Sequence, residues 1–333
     1  MTAHVLGSLS VDLDDLWSYM KTHGDGGWES RPSYLPTLVP RLLDLLDQAK
    51  VSVTFFLVGV DAATARNREL FREIAGRGHE VGNHSHEHEP WLHLYPPARL
   101  ETEVRTAEEA IEAATGQRPR GFRGPGYSWS PDLFRVLLDR GYGYDASTLP
   151  TYLGPLARAY YFRTTRLSAE QRAERRWLFG EFTHGFRPIK PYRWRLADGR
   201  ELLEIPVTTF PVLKTPFHLS YLLYLARHSP ALARTYLRQA LRACRLTGSG
   251  VSFLLHPLDV LSGEQAPELK FFPGMDVPMQ RKVEFLLEVL EILQEHFRLG
   301  TMGEHARELL RPSEAGAPAQ RQPAPPLRTV DAS

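Results

Sequence analysis

The chain has 333 residues, of which 42% are hydrophobic, and its 40 basic residues nearly balance its 39 acidic ones. This length suits one large α/β domain as well as two smaller ones. The balanced charge, without a basic stripe, gives no electrostatic reason to expect nucleic acid as a partner. The only cysteine, Cys244, excludes an intramolecular disulfide and a multi-cysteine zinc site, so any metal must be held by histidine and carboxylate.

Strand-like and helix-like segments alternate along most of the chain. A helix that stops before a glycine, and another that begins with proline after a serine cap, mark the boundaries of these segments. In chain order, the pattern predicts a strand that begins at 8, a helix over 37–50, a strand over 51–59, a helix over 66–77, a strand after 78, a helix over 98–115, a strand from 121, a helix over 131–140, a strand over 201–207, one long helix, a strand from 251 and a helix over 278–296. Repeated β-α alternation of this kind indicates a mainly parallel sheet.

Polar side chains follow several of the predicted strands at the point where each strand ends. The first strand finishes in a run of carboxylates that begins at Asp12, and later strands end near Arg123, Asp145 and His256. Buried parallel strands end at one common edge, and in a β/α barrel this edge carries the active site. The sequence therefore predicts that these side chains lie close together.

A cluster of histidines follows the predicted strand after residue 78. His84 and His88 are four residues apart in the string HSHEH. Two imidazoles at this spacing share a face of a helical turn and can converge on one small cation. We therefore predict that His84 and His88 bind a metal ion.

Taken in order, these segments resemble the motifs of the polysaccharide deacetylase superfamily (NodB homology, carbohydrate esterase family 4). In this resemblance Asp12 stands at the place of the catalytic base, and His84 and His88 stand at the outer, metal-binding positions of the His-Ser/Thr-x-x-His motif. Arg123, in the string RGPGY, resembles the arginine that braces the base, and His256, in the string LLH, resembles the catalytic acid. The resemblance implies a distorted (β/α) barrel with about seven, mainly parallel strands.

The first motif departs from the usual form, in which two adjacent aspartates act as base and metal ligand. Here the string is VDLDD, and strand alternation directs residues 12 and 14 to one side, so we expect Asp12 as the base and Asp14 as the metal ligand. If the strand ends at Leu13, Asp14 and Asp15 take these roles instead. An Asp-x-Asp motif resembles the branch of the superfamily that contains cytosolic and membrane-surface amide hydrolases.

The function implied by this resemblance is a metal-dependent hydrolase that removes an N-acyl group, acetyl or formyl, from a sugar or glycan precursor. One divalent ion is expected, with zinc as the default and cobalt, nickel or iron as alternatives. Tyr127 and Trp129, which follow the arginine motif, are the candidate substrate-binding residues. Two other functions remain open: an allantoinase-like hydrolase of cyclic amides, and a carbohydrate-binding barrel without catalytic activity.

The catalytic domain is expected over 1–311, with an insertion rich in aromatic residues and arginine at about 149–198 and a disordered tail over 312–333. The chain shows neither a secretion signal nor a membrane span, which favours a cytoplasmic location. The apolar segment 217–232 is expected to be a core helix, with contact to the inner membrane face as the alternative. The pattern does not indicate an oligomeric state.

Overall fold

The computed structural model describes residues 6–165 and 167–311. This part of the chain contains one sheet of nine strands, in the order β6-β7-β5-β4-β3-β2-β1-β8, with β9 paired to β1. All pairs are parallel except β6 with β7. The strands are β1 (Leu6–Leu13), β2 (Thr54–Leu57), β3 (Glu80–Asn83), β4 (Gly121–Phe122), β5 (Tyr144–Asp145), β6 (Tyr192–Arg195), β7 (Glu201–Glu204), β8 (Val251–Leu255) and β9 (Arg298–Gly300).

Helices connect most of these strands, as the alternating sequence pattern predicted. They are α1 (Leu16–His23), α2 (Leu35–Ala49), α3 (Gly59–Ala63), α4 (Arg68–Gly76), α5 (Pro97–Thr115), α6 (Pro131–Asp139), α7 (Gly154–Thr164), α8 (Ala169–Glu174), α9 (Leu219–His228), α10 (Pro230–Leu246), α11 (Met279–His296) and α12 (Met302–Leu310).

Strand β1 lies beside β8 near one end of the strand order, and all eight of its residues are buried. It pairs in parallel with β2, β8 and β9. A strand with both faces covered needs an almost continuous apolar run, and its two buried serines are satisfied by hydrogen bonds. Ser8 Oγ lies 3.0 Å from His305 Nδ1, and Ser10 Oγ accepts from Arg123 Nη1 at 2.9 Å.

The segment that follows β7 joins the two ends of the sheet. Ile205 N–H donates to the carbonyl of Asp145 at 2.9 Å, and Thr208 N–H donates to the carbonyl of Ser252 in β8 at 3.0 Å. Ser252 N–H in turn donates to Thr208 Oγ1 at 2.8 Å. The sheet therefore closes as the distorted, mainly parallel barrel that we expected, and the short strands β6 and β9 bring the count above seven.

The long helix predicted before β8 is wrong, because the structure has two helices, α9 and α10, in its place. The break falls at Ser229 and Pro230. Ser229 Oγ caps the second helix by accepting from Leu232 N–H at 3.2 Å. Pro230 has no N–H to continue the first helix but fits the first position of the second, so the Ser-Pro pair separates the two.

Helix α9 directs its apolar side chains into the core. Leu219, Leu222 and Leu223 are buried, and so is Phe217 just before the helix. The core helix expected in segment 217–232 is therefore present over Leu219–His228, and the segment then breaks at Ser229 and Pro230. None of the helices in the described ranges is long and apolar enough to cross a membrane.

The predicted insertion at about 149–198 contains α7, α8 and β6. Strand β6 forms an antiparallel hairpin with β7, which ties the end of this segment to the sheet. The tail expected to be disordered, 312–333, lies outside the described residues.

Candidate active site

Three buried side chains converge just beyond the carboxyl end of β1. Asp14 Oδ1 lies 2.9 Å from His88 Nε2 and 3.3 Å from His84 Nε2. Each of the three residues offers one ligand atom, and these atoms lie within 4.8 Å of one another. One carboxylate and two imidazoles form a ligand set typical of zinc and of other divalent transition metals.

The hydrogen bonds of Asp14, His84 and His88 leave lone pairs on their candidate ligand atoms free. His84 Nδ1 lies 2.6 Å from the carbonyl oxygen of Arg123, so Nδ1 donates and Nε2 keeps a lone pair. Among the described residues, buried Asp14 Oδ1 and His88 Nε2 have no hydrogen-bond partner. Burial raises the pKa of Asp14, but His88 and His84 outweigh it and hold that pKa well below its ordinary value. Buried acceptor atoms that face one another without donors between them fit a bound cation.

The two histidines do not share a helical turn, so that part of the sequence argument is wrong. Residues 84–88 form a loop in which Ser85 and His88 adopt left-handed backbone conformations, with φ of 63° and 50°. The loop is held from α5, where Glu103 Oε2 accepts from the N–H groups of His86 at 3.0 Å and Glu87 at 3.1 Å. The loop backbone, and not a helix, therefore brings the two imidazoles together.

A buried ion pair lies beside this group. Arg123 is fully buried, and its Nη1 donates to Asp12 Oδ1 at 2.6 Å. Its Nε donates to the carbonyl of Ala146 at 3.0 Å, and its guanidinium lies 4.3 Å from the centroid of the Phe56 ring. Because the arginine is fixed from several sides, it holds the Asp12 carboxylate in one position.

Strand β1 ends at Leu13, which was the condition for assigning the two roles to Asp14 and Asp15. The structure nevertheless uses Asp15 differently. Its carboxylate caps α1, accepting from Leu16 N–H at 2.7 Å, and it also accepts from Tyr34 N–H at 3.1 Å. The geometry thus groups Asp14 with the histidines and pairs Asp12 with the arginine.

His256 lies at the end of β8 and is linked to a carboxylate through a serine. Ser220 Oγ donates to Asp259 Oδ1 at 2.7 Å and lies 3.3 Å from His256 Nδ1. A hydroxyl has only one proton, so the serine oxygen accepts from Nδ1–H of the histidine. Asp259 also accepts from the backbone N–H of His256 at 2.8 Å. This arrangement fixes the ring and leaves Nε2 for other partners.

The two candidate substrate-binding residues occupy different surroundings. Tyr127 is partly buried, and its pKa is raised by burial and by the nearby Asp12 carboxylate, which places its phenol near the ion pair. Trp129 stacks on Trp194 with ring centroids 4.8 Å apart, and the guanidinium of Arg187 lies 4.2 Å from its ring. The indole is therefore engaged in packing.

Sequence reasoning missed three further side chains around the site. Burial and the carboxylates of Asp14 and Asp259 raise the pKa of Tyr19, so its hydroxyl lies among the acidic groups. His218 is buried with its ring 5.6 Å from that of His256, and within the described part of the chain its Nδ1 has no partner. Ser220 is the third. No motif marks them.

Comparison with known proteins agrees with this geometry. Residues 22–144 match the family model described as polysaccharide deacetylase. A chitooligosaccharide deacetylase from Bradyrhizobium sp. (strain ANU 289) is 40% identical over 32% of this chain and 48% of its own length. A peptidoglycan-N-acetylglucosamine deacetylase from Bacillus cereus is 32% identical over the same shares. The chain thus spans about half the length of the curated relatives it matches.

Among solved structures, a Mycobacterium smegmatis protein assigned to the polysaccharide deacetylases aligns over 98% of both chains. The TM-score is 0.57 and the sequence identity is 20%, so this likeness concerns the fold. The matched segment, residues 22–144, is thus similar to the polysaccharide deacetylases, and the barrel has a fold found among them.

Proposed function

We propose that the protein is a metal-dependent hydrolase that removes an N-acyl group, acetyl in the first instance, from a sugar or glycan precursor. The observation that carries the proposal is the convergence of Asp14, His84 and His88 beside the buried pair of Asp12 and Arg123. A ligand group next to a fixed carboxylate is the arrangement that metal-assisted amide hydrolysis requires. We propose that one unit over 1–311 carries this activity.

Asp14, His84 and His88 would hold the metal, with zinc as the first candidate and cobalt, nickel or iron as alternatives. A divalent ion held there supplies Lewis acidity: it polarises the acyl carbonyl and lowers the pKa of water. His84 is prepared for this role because Nδ1 is fixed on the Arg123 carbonyl at 2.6 Å, which directs Nε2 toward Asp14.

Asp12 would act as the general base. Arg123 holds its Oδ1, which leaves the other carboxylate oxygen for the attacking water. The base accepts a proton from this water as the water's oxygen bonds to the acyl carbon.

His256 would act as the general acid. Its Nδ1–H is held by Ser220, and Ser220 is held by Asp259, so a positive charge on the imidazole is stabilised through the serine. A proton on Nε2 can then pass to the amine nitrogen as the carbon–nitrogen bond breaks. Without this proton the leaving group would be an amide anion, and the intermediate would return to substrate.

Two observations support a carbohydrate substrate. The matched relatives carry names that refer to chitooligosaccharide and to peptidoglycan N-acetylglucosamine. A cleft of about 490 Å³ is lined by Trp28, Trp91, Glu87 and Glu89, among others. Glu87 directly precedes the proposed ligand His88 in the chain. Indole rings and charged side chains suit the apolar faces and the hydroxyl groups of sugars.

The experiment measures metal content by plasma mass spectrometry and acetate release from N-acetylglucosamine oligomers. We expect about one divalent ion per chain in the wild type and little in Asp14→Ala and His88→Ala, because each removes a ligand. His86→Ala is the matched control, since His86 lies in the same loop and outside the ligand group.

Asp12→Asn should keep the metal and lose about 10²–10⁴-fold in kcat, the usual contribution of a general base. A wild type that takes up no metal even after reconstitution would contradict the proposal. A wild type that binds metal and sugar without turnover would favour the carbohydrate-binding barrel.

A further inference from the structure

A second buried histidine, His218, lies beside the candidate acid and has no part in the reaction proposed above. Its side chain belongs to a residue that is 5% exposed, and its ring centroid lies 5.6 Å from that of His256, with the two rings tilted by 58°. His218 stands at the start of α9, two residues before the Ser220 whose hydroxyl contacts His256. The same turn of chain therefore orients His256 and places another imidazole next to it.

The position of His218 is fixed by its backbone and by its neighbours. Its carbonyl oxygen accepts from the N–H groups of Tyr221 at 3.0 Å and Leu222 at 3.2 Å, which anchors the residue to the first turn of α9. The ring of Tyr221 meets the imidazole edge-on, with centroids 4.7 Å apart. Phe217 and Leu219 on either side are fully buried in the core. The imidazole is therefore held in place by packing.

One nitrogen of this ring is left without a hydrogen bond. The Nδ1 atom of His218 is buried, and among the described residues it has no partner. The Nδ1 atoms of His84 and His256 differ, because they lie 2.6 Å from the Arg123 carbonyl oxygen and 3.3 Å from Ser220 Oγ. A buried polar atom without a partner is unfavourable. Next to a candidate acid, such an atom fits a hydrogen bond that the substrate completes.

The surroundings of His218 select the charge of its ring and so the chemistry of its partner. Burial lowers the pKa of His218 well below its ordinary value, and positive charge on His256 and Arg123 lowers this pKa further. A neutral imidazole has one N–H donor and one lone pair. A hydroxyl group, which both donates and accepts, can pair with Nδ1 in either tautomer of the ring. An anionic partner would instead favour the protonated ring, which burial opposes.

We propose that His218 is a substrate-binding residue whose Nδ1 forms a hydrogen bond with a hydroxyl group of the sugar, close to the acylated nitrogen. This inference rests on the proposed function, in which His256 meets that nitrogen as the acid. A ring that lies beside His256 is in place to meet the substituent on the next carbon of the sugar. His218 thus distinguishes a sugar from an amide that carries no hydroxyl group.

The experiment measures binding of N-acetylglucosamine oligomers by isothermal titration calorimetry. The protein is the full chain loaded with zinc and carrying Asp12→Asn, which prevents turnover. Adding His218→Phe keeps a ring but removes both nitrogens, and it should weaken binding by about tenfold, the usual contribution of a neutral hydrogen bond. Adding His218→Asn places an amide near the position of Nδ1 and should bring the affinity back to within about threefold.

His228→Phe is the matched control, because His228 is an exposed histidine at the other end of α9 and should leave the affinity unchanged. Circular dichroism of each variant checks that the fold is retained. In the chain with Asp12 intact, His218→Phe should lower kcat/KM on the same oligomers by a similar factor. The pH profile of kcat should keep its limbs, since His256 is not changed.

The inference is overturned if the oligomers do not bind, if His218→Phe binds them as tightly as the parent, or if His218→Asn is no better than His218→Phe. A shift in the pH profile without a loss of affinity also overturns it, because His218 would then act through His256. A protein that binds the oligomers through His218 but releases no acetate would contradict the proposed hydrolysis and leave this inference in place.

Discussion

The edge of the barrel that carries the candidate site and the exposed loops of Phe186 and Val212, which we call the mouth, are built on opposite principles. At the edge, Asp12, Asp14 and Arg123 are buried, and the pair of Asp12 with Arg123 is fixed by one short charged hydrogen bond. At the mouth, Phe186 and Val212 extend into solvent. The edge is stabilised by contacts within the protein, whereas the mouth displays groups that the protein itself does not need. Substitutions at the two places should therefore differ sharply in their effect on stability.

The largest expected effect is at Arg123. Arg123→Met should lower the free energy of unfolding by about 3–5 kcal/mol, because it leaves the buried Asp12 carboxylate without its partner. Urea denaturation monitored by circular dichroism measures this loss. Arg77→Met is the control, since Arg77 also pairs with carboxylates but does so at the surface, and it should cost much less. Equal losses in the two variants would remove the contrast between buried edge and exposed surface.

The buried side chain of His305 should make the free energy of unfolding depend on pH. Burial lowers the pKa of His305, which lies against Ser8 of β1, from 6.5 to about 4. Between these values the unfolded chain binds a proton that the folded chain does not, so stability rises with pH across this window and falls on acidification. The contribution is on the order of 3 kcal/mol at full protonation of the unfolded state.

Denaturation at pH 7 and pH 5 measures this dependence. In His305→Gln the loss on acidification should be smaller than in the wild type. His228→Gln replaces an exposed histidine and should leave the dependence unchanged. A wild-type stability that did not change between the two pH values would be inconsistent with a buried neutral histidine.

A smaller effect is expected at the link between His256 and Asp259. Ser220→Ala removes the hydroxyl that connects them and should lower kcat by roughly 10–100-fold. KM should change little, because the serine acts through the histidine. Ser229→Ala, a cap on α10 away from the site, should retain full kcat. If Ser220→Ala were as active as the wild type, the ring of His256 would not depend on this link.

The smallest expected effect is at the mouth. Phe186→Ser should change the free energy of unfolding by no more than about 0.5 kcal/mol, as exposed substitutions usually do. Thermal denaturation measures the change beside that of Arg123→Met. A loss of several kcal/mol would mean that the phenylalanine packs into the fold, and the distinction between edge and mouth would fail.

These two regions also differ in how far the sequence predicted them. The residues of the edge follow strands, and alternation along β1 predicted Asp12 and Asp14 on one side, although the strand ends at Leu13. The roles of base and metal ligand for these two residues stay predictions. The order of motifs placed His84, His88 and Arg123 in the same barrel. Short-range patterns were sufficient here, because the parallel sheet itself brings strand ends together.

Other features were beyond such patterns. The loop 84–88 was expected to be a helical turn, but its path depends on a carboxylate from α5 that is distant in the sequence. His218 and Ser220 approach His256 only because the chain after β7 crosses to β8, which no local periodicity shows. The break between α9 and α10 could have been predicted from the sequence, because the pair Ser229 and Pro230 is typical of the start of a new helix.

Glu103 affects how well motif residues alone separate active from inactive relatives of this protein. It touches neither the proposed ligands nor the proposed base, and it belongs to none of the motifs, yet two backbone N–H groups of the histidine loop depend on it. A descendant that lost this single carboxylate would keep every diagnostic residue while the loop relaxed and the imidazoles moved apart. A search by motif would count that descendant as active. Relatives that have lost activity can therefore still carry every motif residue.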